Sequence, residues 1–169
     1  MNKAVLKGTL IILQTSQQEN KDFTFLKCCF DNIVKIVLDE NTTINKENIN
    51  TSIYVLAYDS SCLLIEKFLS KYKLPVEAIF FITPLLLKER IAVRKYANIE
   101  KIISNIKLPI VIFNANTESL QYHNYVADLM NNSRMVYNIV IKSGNKDILA
   151  GNEACKQQLL QAIKAYVSN

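Results

Sequence analysis

Ile53-Tyr54-Val55-Leu56-Ala57-Tyr58-Asp59-Ser60-Ser61-Cys62 runs from an unbroken apolar stretch straight into a polar corner edged by small residues. Ser52–Ala57 reads as a strand buried on both faces, because it is continuously apolar rather than alternating. Cys62, Leu63, Leu64, Ile65, Phe68, Leu69 and Tyr72 then form an apolar stripe at helical spacing. No linker separates the two, and Ala57, Ser61 and Cys62 at the junction around Asp59 are all small.

Working outward, five more apolar runs recur at Thr9–Leu13, Ile33–Leu38, Ala78–Ile82, Ile110–Phe113 and Tyr137–Ile141. Two further helical stripes follow. One is Leu120, Val126, Ala127, Leu129 and Met130, and the other is Ala154, Leu159, Leu160, Ile163 and Val167. A longer, partly helical stretch spans Leu85 to Ile106, and the polar stretch Asp39–Asn50 reads as a surface connection. Strands alternating with helices predict βαβ units, a three-layer α/β/α fold and a mostly parallel sheet of about six strands. The expectation is one domain over residues 1–169, with its site in the loops at the carboxyl ends of the strands.

Composition narrows the function. The chain has 169 residues, 50% apolar and 21% charged, enough to bury a core and too apolar for disorder. No apolar run is long enough to span a bilayer, and the lysines before Thr9 precede a stretch too short for a signal peptide. The net charge of +5 is spread along the chain, and most of the 20 basic residues are Lys, which argues against nucleic acid as a partner. An acidic protein partner remains compatible with it. Four cysteines without a C-x-x-C, and a single histidine, predict free buried thiols, no metal site and a reducing, cytoplasmic setting. No Gly-x-Gly-x-x-Gly or phosphate loop occurs, and no cofactor is expected.

The corner at Asp59 resembles the nucleophile elbow of the α/β-hydrolase superfamily, a strand ending in Gly-x-Ser-x-Gly that turns at once into a helix. Ala57 and Ser61 stand where that family usually has glycines, which puts Asp59 in the nucleophile position. The other segments follow in the family's order. Leu10–Gln14 resembles the strand leading into the oxyanion loop, and Phe23 to Val37 the next helix and strand. Leu108 to Glu118 resembles the strand and loop of the catalytic acid, and Tyr137 to Asp147 those of the histidine. With no first hairpin before Thr9 and only a short insertion at Leu85–Ile106, the resemblance implies a minimal member with little or no cap.

The resemblance also implies a triad, and here the sequence departs from it. The loop that should carry histidine reads Ser143-Gly144-Asn145-Lys146-Asp147, the acid position falls near Thr117, and the oxyanion loop reads Gln14-Thr15-Ser16. Without histidine to shuttle the proton, turnover by this route collapses. Four residues keep two readings each. Asp59 is a carboxylate nucleophile or a charge at the following helix's start; Ser60 is a catalytic serine or a cap hydroxyl. His123 is a displaced general base or a half-buried helix residue beside Tyr122; Glu118 is a catalytic acid or a carboxylate at its helix's positive end. Gln14, Thr15, Tyr58 and Asn145 are the candidates to line a ligand site. The resulting expectation is a degenerate hydrolase-like protein, inactive or nearly so, that binds a small molecule such as an acyl group, or a protein partner. A divergent ester or thioester hydrolase, one acting on a carrier-linked acyl group included, is the alternative. A structural subunit of a complex is the third.

Overall fold

The structure is a computed structural model that describes residues 8–18, 21–38, 42–44, 49, 52–82, 103–143 and 147–168. Asn145 and most of the stretch between Leu85 and Ile106 lie outside the described residues. Six strands form one sheet: β1 (Gly8–Gln14), β2 (Asn32–Val37), β3 (Ser52–Tyr58), β4 (Val76–Ile82), β5 (Ile110–Ala115) and β6 (Val136–Ile141). Their order is β2-β1-β3-β4-β5-β6, and every neighbouring pair is parallel. β1 and β5 are buried along their whole length, as continuous apolar strands should be. The edge strands β2 and β6 alternate more and expose Val37, Tyr137 and Val140.

Among the described residues three α-helices of eight residues or more cover the sheet: α1 (Ile65–Tyr72), α2 (Leu120–Asn132) and α3 (Glu153–Val167). α1 and α2 pack on one face, where Phe68, Tyr122, Val126 and Leu129 meet Ile11, Val55, Ile79 and Ile112. α3 and a 3₁₀ turn at Thr24–Cys28 cover the other, where Leu26, Leu159 and Ile163 meet Leu10, Leu56, Phe80 and Phe113. α2 opens on Ser119, whose hydroxyl accepts from the Tyr122 amide, and α3 on Asn152, whose side chain accepts from the Cys155 amide. The family resemblance implies a helix between β1 and β2, and among the described residues only the 3₁₀ turn forms there.

Two helix stripes differ from the expected ones. On α2 the buried face is Tyr122, Tyr125, Val126 and Leu129, while Leu120 is 74% and Met130 38% exposed and Ala127 faces solvent. Tyrosine's large ring fills the sheet face, and the buried Tyr122 hydroxyl donates to Asn114 of β5, so its polar end is satisfied inside. On α3 Cys155, not Ala154, takes the inner position. Its thiol packs as a small apolar group and reaches the Lys142 carbonyl at 3.4 Å. All four cysteines are free thiols, with Cys28 alone exposed. No helix among the described residues is long and apolar enough to cross a membrane.

The register levels the carboxyl ends of the central strands, since Ala57 lies beside Leu13 on one side and Phe81 on the other. The chain leaves β1 toward the α3 face and leaves β3 toward the α1 face. The strand order therefore switches direction between β1 and β3, the point at whose carboxyl edge sheets of this kind bind their ligands.

Candidate functional site

β3 ends at Tyr58 in extended conformation, and the chain turns at Asp59 with φ 51°, one of two left-handed non-glycine residues described. A 3₁₀ stretch, Asp59–Leu64, follows at once and runs into α1. A Cβ at such a φ costs about 1 kcal/mol, so the corner is held by its surroundings. Ser61 provides part of that hold. Its buried hydroxyl accepts from the Tyr58 amide at 2.9 Å and donates to the Tyr58 carbonyl at 2.7 Å, closing the turn on itself. Cys62, fully buried behind it, has its thiol pushed well up by burial and then by the Asp59 carboxylate, which keeps it protonated and unreactive.

Strain at Asp59 makes a measurable difference between two truncations. Asp59→Ala and Asp59→Gly both remove the carboxylate, but only alanine keeps a Cβ at positive φ. The glycine variant is expected to be about 1 kcal/mol more stable in urea or thermal unfolding. Equal stability would mean that no strain resides there.

Beside it, the loop after β1 is bound to this corner by glutamine side chains. Gln14 Nε2 donates to the Tyr58 hydroxyl at 2.8 Å. Gln18 Oε1 accepts from the Thr15 amide at 2.8 Å, and Gln18 Nε2 donates to the Tyr58 carbonyl at 2.7 Å. A single carboxamide thus spans the gap between the two loops. Phe23 adds a ring contact to Tyr58 at 5.3 Å.

On the far side of Asp59, the loops after β5 and β6 are joined by Asn116. Its amide donates to the Ile141 carbonyl at 2.9 Å, and its side-chain oxygen accepts from the Ser143 amide at 2.8 Å. Asp147 accepts from the Leu149 amide and pairs with Lys21 at 3.3 Å, which ties the β6 loop to the loop after β1. Glu118 is buried at the start of α2 beside Tyr122. Burial first, then the Glu118 charge, raises the Tyr122 phenol far above its usual range. His123 is half-buried on the next position, its ring edge-on to Tyr122 at 6.0 Å. Among the described residues no hydrogen bond joins His123 to Asp59, Ser60 or Glu118. None of their groups of His, Cys, Asp and Glu is arranged to hold a metal ion.

The structure therefore brings Gln14, Thr15, Tyr58 and Asp59 together at the carboxyl ends of β1 and β3, with Gln14 and Tyr58 buried, and sets Glu118 just before α2 and His123 in its first turn. Gln18 and Asn116 were not singled out from the sequence. Each is one polar residue in a polar loop, and its partner lies 40 or 27 positions away.

No family model matches this sequence, and no curated protein does. Solved structures match over nearly their whole length. A lipase-esterase related protein from Clostridium acetobutylicum superposes with a TM-score of 0.60 at 12% identity, covering 98% of this chain and 96% of that one. MenH from S. aureus superposes with a TM-score of 0.62 at 9% identity, covering 96% and 95%. An alpha/beta hydrolase from Sphaerobacter thermophilus gives a TM-score of 0.55 at 8% identity, covering 94% of each. The chain has the α/β-hydrolase fold. In it Asp59 stands at the turn that ends β3.

Proposed function

We propose that this α/β-hydrolase-fold protein does not hydrolyse esters and uses the scaffold to bind a small molecule. The Gln18 carboxamide carries this reading. It occupies the Thr15 N–H that an oxyanion hole would need free, and it anchors to the Tyr58 carbonyl, so the donor is spent inside the protein. The remaining machinery is replaced in the same way. Where an acid would orient a histidine across the β5 and β6 loops, Asn116 and the Ser143 amide make a neutral backbone joint. Each change keeps the loops in place while removing a group that would accept, donate or stabilise charge during acyl transfer.

A second reading rests on the left-handed apex at Asp59. Strained backbone is kept at reactive elbows because it lifts the nucleophile clear of the sheet. On that reading Asp59 or Ser60 attacks an ester or thioester, with His123 as base and Glu118 behind it.

Hydrolysis of p-nitrophenyl acetate, butyrate and octanoate and of a butyryl thioester separates the two. The wild type is compared with Asp59→Asn, Ser60→Ala and His123→Ala, each shown to be folded. The expected result is four proteins indistinguishable from buffer. Turnover that one substitution lowers by about 100-fold or more would establish the hydrolase instead. Turnover that survives all three would overturn the non-catalytic reading and move the chemistry elsewhere in the chain.

A further inference from the structure

At the end of the sheet opposite the elbow, the amino ends of β3 to β6 and the last turn of α3 line an open groove of about 670 Å³. Tyr54 of β3, Tyr137 of β6 and Tyr166 of α3 contribute aromatic rings to it. Phe80 fixes two of them from below, stacked on Tyr54 at 6.0 Å and edge-on to Tyr166 at 5.7 Å. Tyr137 meets Tyr166 at 6.3 Å and is 48% exposed, so the cluster is open to solvent on one side.

The charge of the groove is opposite to that of the chain. Among the described residues neither Lys nor Arg lines it, and Glu77 supplies the one formal charge, in a protein of net charge +5. Burial, then Glu77, raises the Tyr54 phenol; burial, then Tyr137 and Tyr54, raises Tyr166. The Tyr54 and Tyr166 rings are therefore held neutral and electron-rich at physiological pH. The rest of the lining is apolar, Met130 included, apart from the side chain of Asn138. Among the described residues of the lining an anion would meet a carboxylate and no cation. An ammonium whose charge is spread over methyl groups suits each part: aromatic faces for the charge, apolar walls for the methyls and a carboxylate as counter-ion.

We propose that this groove is a binding site for a small quaternary or methylated ammonium ion, held by Tyr54, Tyr137 and Tyr166 with Glu77 as counter-charge. The site is separate from the elbow, and hydrolytic activity there would leave it standing.

Choline is the probe and 3,3-dimethyl-1-butanol its neutral counterpart of the same shape. Both are titrated into protein carrying labelled tyrosine rings and followed by NMR, at fixed ionic strength. Choline is expected to shift the Tyr137 and Tyr166 ring signals saturably, and the alcohol to bind about tenfold more weakly or not at all. Glu77→Gln and Tyr137→Leu should each weaken choline by about fivefold or more, while Tyr137→Phe, which keeps the ring, retains it. Equal binding of the alcohol would make the groove an apolar slot and overturn the proposal. So would unchanged affinity in Glu77→Gln, or no saturable change at the tyrosines with the wild type. The comparison of the two probes needs no variant, so it holds even where a substitution disturbs folding.

Discussion

Replacing Phe80 with alanine is expected to lower stability by about 3–5 kcal/mol, a fall in melting temperature of roughly 6–20 °C for a chain of this size. Phe80 lies fully buried in the middle of β4 and meets rings from three other elements: Tyr54 of β3, Phe113 of β5 and Tyr166 of α3. Those partners are themselves fixed by the sheet and by α3, so they cannot collapse into the space the ring leaves. The cost then includes the cavity as well as the lost transfer energy. Phe80→Leu, which refills most of the volume, should lose less than half as much. A loss below about 1 kcal/mol for alanine would show that α3 slides inward, and that it is not anchored at its last turn.

The second large effect is alkaline. Burial, and then its neighbour Cys28, pushes the Cys29 thiol up to about 11, above the ordinary thiol range. Burial likewise raises Cys62 and Tyr122, with Asp59 and Glu118 adding to the two respectively. All three are acids held protonated in the fold, so the native state binds more protons than the unfolded chain once pH passes their unfolded values. Their contribution is intact below about pH 9 and is lost as pH rises from there. For Cys29 the loss falls between about pH 9 and 11, and Tyr122 begins near pH 10. Each group adds at most about 1.4 kcal/mol per pH unit within its window. Urea midpoints should be level from pH 7 to about 8.5 and then fall steeply. Tyr122→Phe should lower stability at pH 7, because Asn114 loses its donor, and should also flatten the decline above pH 10. A midpoint unchanged at pH 10.5 would mean that these groups ionise without unfolding.

The strands were legible because they are unbroken apolar runs, a pattern that few other structures in a chain of this length produce. The run at Ile110–Phe113 was read two residues short, since Asn114 looks like a stop. In the structure Asn114 is a fully buried strand residue, bonded to Tyr122 and, at 2.5 Å, to Asn138. Its polarity is satisfied by residues 8 and 24 positions away, which local patterning does not register. The face of α2 was misjudged for the same reason: Leu120 and Met130 look like core by hydropathy, yet Tyr122 and Tyr125 are buried instead. At the site, the elbow was legible because close backbone approach restricts side-chain size at Ala57 and Ser61. The Gln18 bridge was not, since its meaning lies in one carboxamide meeting two loops at once.

The strand order has a consequence for how the protein is made. β1 is synthesised before both strands that flank it, and none of its pairings joins residues fewer than 23 positions apart, as Thr9 to Asn32 shows. Its β3 partner is complete only once Tyr58 has been added. β2 can cover one edge of Gly8–Gln14 once Val37 has been added, and the other edge waits for β3. That segment carries neither charge nor proline, the two devices that most often blunt an open strand edge. Of the six strands β1 thus waits longest for its last partner, the strand that carries the elbow.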